Sequence, residues 1–166
     1  MARNDNTVVM ENVRIIFRNF AGREGMYNRE GDRNFCVLLD DDTADAMAKD
    51  GWNVKMLKAR EEDEADQPYL QVSVNFKGKP PRVVMITSRG RTTLREDDVE
   101  LLDWADIRIA DLIVRPYEWA VNGKTGIKAY LQSIFVTIDE DALELKYSEV
   151  NDVPPRTGNV DDDTPF

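Results

Sequence analysis

The fold of this chain is decided by residues 107–138, which read IRIADLIVRPYEWAVNGKTGIKAYLQSIFVTI. Two runs rich in β-branched and aromatic residues, Ile107 to Val121 and Ile127 to Ile138, flank the segment Asn122-Gly123-Lys124-Thr125-Gly126. Asn-Gly supplies the positive backbone φ angles that a tight hairpin turn requires. The stretch therefore predicts two long strands joined as an antiparallel β-hairpin.

Basic and aromatic side chains share a side of each strand of this predicted hairpin, because successive residues of a strand point to opposite faces. They are Arg115, Tyr117 and Trp119 on the outgoing strand, Lys128 and Tyr130 on the return strand, and Lys124 at the turn. Aromatic rings in a strand often pack in a core, so core packing stays open for Tyr117, Trp119 and Tyr130. Next to two lysines, the same rings form a candidate platform on which bases could stack.

Period-two alternation predicts three strands upstream of the hairpin. The stretch from about Thr7 to Asn19 places Val13, Ile15 and Phe17 inward, with Arg14 and Arg18 outward. A second strand runs from Asn34 to Leu39. The third, Tyr69 to Lys77, turns Leu70, Val72, Val74 and Phe76 inward and Tyr69 and Lys77 outward.

Further basic residues fall in predicted turns. The turn Gly78-Lys79-Pro80-Pro81 is expected to join the strand Tyr69 to Lys77 to the strand Arg82 to Ser88, as a hairpin with a basic tip. A basic loop carrying Arg89 and Arg91 follows, before a short helical stretch from Asp98 to Asp103. The candidate DNA-binding residues on these strands and turns are Arg14, Arg18, Tyr69, Lys77, Lys79, Arg82, Arg89 and Arg91. A second helix, Ala44 to Asp50, is predicted to be capped by Asp42-Thr43 and stopped by Gly51.

Residues 20–33 form a predicted mobile loop, because three glycines interrupt them. The loop carries the candidate DNA-binding residues Phe20, Arg23, Tyr27, Arg29 and Arg33. It lacks the glycine and lysine spacing of a nucleotide-phosphate cradle, so nucleotide binding is not predicted.

Composition limits the range of functions. The 166 residues, 42% of them hydrophobic, suffice for one domain with a core and a tail. Cys36 is the single cysteine and lies in an apolar run, so we expect it to be buried and unpaired. Histidine is absent, which excludes Ser-His and Cys-His nucleophile pairs and histidine-ligated zinc within this chain. We expect no cofactor, no bound metal, no membrane span and a cytoplasmic location.

The formal net charge of −10 argues at first against nucleic acid. DNA responds to local potential, however, because charges are screened over about 8–10 Å at physiological salt. The charges are segregated: acids cluster at residues 40–42, 61–66, 96–98 and 139–141, and bases cluster at 14–33, 77–82, 89–95 and 124–128. The sequence therefore allows a cationic surface on an acidic protein.

Many strands, few short helices and long basic loops predict an all-β fold, an OB-fold-like antiparallel barrel with a disordered acidic tail. The body also resembles phage-encoded single-stranded DNA-binding proteins with an OB-fold core. The resemblance lies in Asn12 to Phe17, in Arg33 to Leu39 with the capped helix that follows, and in Gly126 to Ile134. The expected domains are an OB-fold-like DNA-binding domain at 1–148 and a flexible tail at 149–166.

The C-terminal tip Asp-Asp-Asp-Thr-Pro-Phe resembles that of bacterial single-stranded DNA-binding proteins. The matching positions are Asp161, Asp162, Asp163, Pro165 and Phe166, whereas Thr164 stands where that family usually has isoleucine. In that family the tip recruits replication, recombination and repair proteins. The resemblance implies the same kind of partner for this chain.

The sequence thus predicts a non-enzymatic protein that binds single-stranded DNA without strong sequence preference and recruits partner proteins through its tip. Three alternatives stay open: an acidic adaptor or DNA mimic that binds replication or repair proteins but not DNA, a purely structural adaptor, and a metal-dependent nuclease using two carboxylates. The sequence does not decide between a monomer and a homo-oligomer.

Overall fold

Nine strands form one curved sheet in the computed structural model, which describes residues 7–140. The strands are β1 (Val8–Val13), β2 (Ile15–Asn19), β3 (Arg33–Leu38), β4 (Val54–Leu57), β5 (Gln67–Val74), β6 (Arg82–Thr87), β7 (Gly90–Leu94), β8 (Ile107–Val121) and β9 (Lys124–Ile138). One α-helix, α1 (Asp41–Asp50), follows β3, and a 3-10 helix (Val99–Asp103) precedes β8.

The predicted hairpin is confirmed as β8 and β9, and the rest of the sheet is arranged around it. The two strands stay paired up to Val121 and Lys124, so the turn is Asn122-Gly123. These two residues have φ angles of 52° and 80°, as the Asn-Gly pair predicted. The other edge of β9 pairs in parallel with β5 through its first half and with β6 through its second half.

The sheet closes on itself through its first strand. The order β1-β8-β9-β5-β3-β2 begins and ends with two strands that only Arg14 separates in the chain. Because β1 pairs with β8 and β2 pairs with β3, one bent strand joins the two ends of the sheet. The predicted all-β, OB-fold-like barrel is confirmed. It is mixed rather than wholly antiparallel, since β9 runs parallel to β5 and β6.

One predicted hairpin is wrong. The strands β5 and β6 do not pair with each other, because both pair with β9, which holds them at different heights of the barrel. The strand β6 instead forms a hairpin with β7, which was predicted as a basic loop. The strand β4, which pairs with the start of β5, was not predicted.

The helices are placed as predicted but α1 begins earlier. Its N-cap is Asp40 rather than Asp42-Thr43, because the Asp40 carboxylate accepts a hydrogen bond of 2.7 Å from the backbone N–H of Thr43. That bond lowers the pKa of Asp40. Gly51 ends the helix with a φ of 101°, and the 3-10 helix buries Val99 and Leu102.

The barrel interior is apolar. The inward positions predicted for β5, Leu70, Val72 and Val74, are buried. Cys36 is buried as predicted, and its burial raises the pKa of the thiol to about 11. Within residues 7–140, no helix has the length and apolar character needed to cross a bilayer.

Candidate nucleic-acid interface

The outward side of the β8–β9 hairpin carries the predicted basic and aromatic side chains. Tyr130 lies opposite Arg115, and Lys128 lies opposite Tyr117. Residues opposite each other in a ladder share a face of the sheet. Their neighbours Val114 and Leu131 point the other way and are buried in the core. The predicted grouping on these two strands is therefore present.

The two tyrosines form the centre of this group. The rings of Tyr117 and Tyr130 meet edge to face, with centroids 5.6 Å apart and an interplanar angle of 80°. The Lys128 ammonium lies 5.3 Å from the centroid of the Tyr130 ring. Tyr117 is 55% exposed, so the core does not account for its ring.

Trp119 continues the group toward the turn. It lies opposite Gly126, and a Cβ atom at that glycine would stand only 2.6 Å from Cζ2 of the indole. The indole therefore packs directly against position 126, where a side chain larger than that of glycine would clash with it. A pocket of about 410 Å³ beside it is lined by Asp50 and Glu118, among others, and these carboxylates disfavour phosphate there.

The same face continues across β9 onto β5 and β4. Tyr130 is paired with Ser73 of β5, and the outward residue at the start of β5 is Tyr69. Lys55 of β4 lies opposite Tyr69, and its ammonium is 3.5 Å from the Gln71 side-chain oxygen. Lys55 was not predicted, because a strand of four residues gives too short a pattern to detect.

Phe17 was predicted to point inward and instead faces solvent. Two residues of β2, Phe17 and Arg18, stand where β3 has one, between the pairs Ile16–Cys36 and Asn19–Asn34. Phe17 adopts a φ of 51° in this bulge and is 57% exposed. Its ring contacts Tyr69 edge to face at 6.0 Å.

We call this surface the aromatic face. It comprises Phe17, Lys55, Tyr69, Arg115, Tyr117, Trp119, Lys128 and Tyr130. Rings that stack on bases and cations that pair with phosphates are the two components of a surface that binds single strands.

A second basic group lies farther along β9. The guanidinium of Arg82 lies 5.3 Å from the centroid of the Phe135 ring, and that of Arg91 lies 5.7 Å from it. Both arginines were predicted as DNA-binding, whereas Phe135 was not. We call these three residues the Phe135 group.

Phe20 cannot stack on a base in this structure, contrary to the prediction. Its side chain is fully buried and stacks on Phe35 with centroids 5.2 Å apart. Phe20 follows directly after the β2 bulge, and its backbone N–H is fixed by the Asp103 carboxylate at 2.7 Å.

Three predicted arginines are occupied by structural contacts. Arg18 donates hydrogen bonds of 2.8 Å and 2.6 Å to the carbonyls of Leu102 and Ala105. Arg33 donates to the Phe20 carbonyl at 3.0 Å and pairs with Glu96 at 3.5 Å. The third, Arg23, lies 3.4 Å from the Asp103 carboxylate and 4.7 Å from the Trp104 ring centroid. These contacts fasten elements of the fold together and leave the guanidinium groups less available to phosphates.

The loop 20–33 is held at its base rather than free along its length. The Gly31 N–H donates to the Gly22 carbonyl at 2.7 Å, and Asp103 accepts from the N–H groups of Phe20 and Ala21. The predicted loop residue Tyr27 is 93% exposed at the tip. The other one, Arg29, pairs with Asp32 at 3.5 Å on the surface.

The remaining predicted cations are exposed but scattered. Their positions are Arg14 between β1 and β2, Lys77 and Lys79 between β5 and β6, Arg89 in the β6–β7 turn, and Lys124 at the β8–β9 turn. The predicted partner-binding residues Asp161, Asp162, Asp163, Pro165 and Phe166 lie outside the described residues. Within residues 7–140, no three Cys, Asp or Glu side chains are placed to hold a metal ion.

Comparison with known proteins identifies the family of the chain. Residues 2–165 match the model of the family described as "Putative phage ssDNA-binding domain". None of the curated proteins compared with the chain matches it.

Two solved structures of the single-stranded DNA-binding protein from bacteriophage Enc34 share the fold. The structure in complex with ssDNA has a TM-score of 0.53 at 15% identity, and the match covers 82% of this chain and 88% of that one. The C-terminal truncation has a TM-score of 0.51 at 14% identity, with the same coverage. Since the family match spans almost the whole sequence, the chain belongs to the phage ssDNA-binding domain family.

Proposed function

We propose that this protein binds single-stranded DNA without strong sequence preference, through bases that stack on the aromatic face. The observation that carries the proposal is the Tyr117–Tyr130 pair, in which Tyr117 is exposed and Tyr130 half-buried, with Lys128 beside it on the side of the hairpin opposite the core. Each base that stacks on such a ring contributes about 1–3 kcal/mol, whatever its identity. Lys55, Arg115 and Lys128 supply the cations for the phosphates.

The biological role we propose is protection of single strands during phage DNA replication or recombination, in the host cytoplasm and without catalysis. Membership of the phage ssDNA-binding domain family supports it, as does the fold shared with a phage protein solved in complex with ssDNA. The tip residues Asp161, Asp162, Asp163, Pro165 and Phe166 recruit replication, recombination or repair proteins in this proposal. That part rests on the resemblance of the tip.

A fluorescence titration tests DNA binding. Trp119 lies on the aromatic face, so oligo-dT should quench the tryptophan emission. The oligo-dT concentration that gives half-maximal quenching should rise when salt is raised. Duplex DNA of the same length should bind more weakly, because its bases are not available for stacking. An acidic adaptor or DNA mimic would respond to neither, so an absence of oligo-dT binding at low salt would overturn the proposal.

Shortening the chain tests partner recruitment separately. Removal of residues 161–166 should leave oligo-dT binding intact while abolishing capture of purified host replication or repair proteins. A matched chain in which Asn159 and Val160 are replaced by alanine should retain capture. If the shortened chain captures these proteins as well as the full chain, the tip is not the recruiting segment.

A further inference from the structure

A bulge in β9 turns Phe135 toward the outside of the barrel. Val114 pairs with Leu131 and Ile113 pairs with Ser133, so Gln132 is an extra residue in the β9 strand. Before the bulge the even-numbered Tyr130 faces outward, and after it Ile134 and Val136 are buried. Phe135 therefore lies on the same outward side as Tyr130, although simple alternation would place the two rings on opposite faces.

Two arginines from neighbouring strands converge on the Phe135 ring. Arg82 belongs to β6, which pairs with β9, and Arg91 belongs to β7, which pairs with β6. Both arginines are exposed. The guanidinium of Arg82 lies 5.3 Å from the centroid of the Phe135 ring, and that of Arg91 lies 5.7 Å from it. Two cations gathered on one ring repel each other, and at an exposed site the ring attracts each only weakly.

No carboxylate among residues 7–140 is within ion-pair distance of Arg82 or Arg91. In a chain with ten more acids than bases, two neighbouring arginines with no acidic partner among residues 7–140 are suited to bind an external anion. The planar guanidinium fits a phosphate with two hydrogen bonds, and both guanidinium groups are brought to one place by the Phe135 ring. The ordinary alternative is that the two arginine stems only cover an apolar ring.

We propose that the Phe135 group is a second contact site for single-stranded DNA, separate from the aromatic face. This inference rests on the proposed function. At about 3.3 Å per residue, Phe135 lies roughly 13–16 Å along β9 from Tyr130. A short oligonucleotide occupies the aromatic face alone, and a longer one runs along β9 and places phosphates on Arg82 and Arg91.

The test compares two lengths of oligo-dT, about 4 and about 16 nucleotides, which are the limits of the range that OB-folds cover. Arg82→Ala combined with Arg91→Ala should weaken binding of the long oligonucleotide about tenfold at low salt and leave binding of the short one within about twofold. The salt slope for the long oligonucleotide should fall by about 1.4, since each phosphate contact on a single strand contributes about 0.7.

Two further variants keep the result interpretable. Arg60→Ala with Arg108→Ala removes the same charge from exposed positions outside both groups and should bind the long oligonucleotide like the wild type. Arg82→Lys with Arg91→Lys keeps the charge and should recover most of the salt slope. Thermal unfolding of each variant shows whether the barrel is intact.

The outcomes separate the two proposals. If the wild type binds neither length, the proposed function fails. If it binds both, and the double alanine variant loses nothing or loses the same factor at both lengths, the second contact site is overturned while the proposed function stands. An equal loss in the Arg60 and Arg108 variant would also overturn it, because net charge alone would then explain the effect.

Discussion

Tyr117 is a large aromatic side chain that the fold leaves exposed beside the half-buried Tyr130. An aromatic ring that serves only the core is buried, as Phe20 and Phe35 are. Tyr117 instead keeps more than half of its surface exposed while its position is fixed by the Tyr130 ring and by the strand it stands on. A ring held in place before it binds loses little conformational entropy when a base stacks on it.

We therefore expect Tyr117→Ala to weaken binding of oligo-dT by about 1–3 kcal/mol with little change in the free energy of unfolding. Tyr117→Phe keeps the ring and should bind within a few-fold of the wild type. Fluorescence anisotropy with a labelled oligonucleotide measures both. Equal losses in the two variants would indicate a hydroxyl contact rather than stacking.

Cys36 makes the stability of the protein depend on alkaline pH. Burial raises the pKa of its thiol from 9.0 to about 11. Between these values the unfolded thiol ionises while the folded one keeps its proton, so stability falls as the pH rises through this window. Below pH 9 the thiol is protonated in both the folded and the unfolded state, so it makes stability independent of pH there.

Because the pKa rises from 9.0 to about 11, the free energy of unfolding changes by about 2–3 kcal/mol across this window. Cys36→Ala removes this change. The difference in unfolding free energy between wild type and variant, measured by urea titration, should therefore shrink from pH 8.5 to pH 11. A difference that stays constant over this range would show that the thiol is not protected by the fold.

Irregular positions within strands, more than the regular ones, decide which residues of each element reach the surface. The bulge in β2 brings Phe17 outward, and the bulge in β9 does the same for Phe135. Both lie in strands whose existence the alternation pattern predicted correctly. An extra residue reverses the faces of all positions after it, so a period-two reading holds only as far as the first bulge.

One carboxylate from another element contacts the base of the loop 20–33. Asp103, whose side chain is 3% exposed, accepts hydrogen bonds from the N–H groups of Phe20 and Ala21 and pairs with Arg23. A buried carboxylate that fixes backbone donors stabilises each contact by about 1.5–3 kcal/mol. The base of the loop is therefore anchored to the 3-10 helix.

Asp103→Ala should accordingly speed hydrogen exchange at the amides of Phe20 and Ala21 while leaving the β8–β9 amides protected. Asp97→Ala, at an exposed position close by, serves as the control and should change neither region. Unchanged exchange at Phe20 and Ala21 in the Asp103 variant would show that packing of Phe20 alone holds the loop base.

At the scale of the whole molecule, closure of the sheet reconciles an acidic chain with a cationic surface. The acidic run at residues 61–66 lies between β4 and β5, and the acids at 40–42 lie at the start of α1. The barrel turns Lys55, Arg115 and Lys128 to one outward face. Because charges farther apart than about 8–10 Å are screened, the net charge of −10 does not set the potential at that face.

This separation predicts a salt dependence that follows the local cations. With three cations on the aromatic face, the logarithm of the binding constant for a short oligo-dT should fall against the logarithm of salt concentration with a slope of about −2. Replacement of Glu61, Glu62 and Glu64 by glutamine should leave that slope unchanged. A slope near zero, or one that changes with those substitutions, would show that the whole-chain charge controls binding.

The sequence by itself determined most of the strands but not β4 or β7. It also determined the long hairpin with its Asn-Gly turn, the glycine end of α1, the buried cysteine and the grouping of Arg115, Tyr117, Trp119, Lys128 and Tyr130 on the hairpin. These follow from local alternation and from turn chemistry, which act over a few residues. They also sufficed to predict the fold class.

Only the tertiary structure decided which strands pair across long separations. It paired one edge of β9 with both β5 and β6, turned the predicted basic loop into β7, buried Phe20 and engaged Arg18 and Arg33 in structural contacts. It also brought Phe17, Lys55 and Phe135 to the surface. Pairing, bulges and side-chain contacts of this kind depend on residues far apart in the chain, so no local pattern carries them.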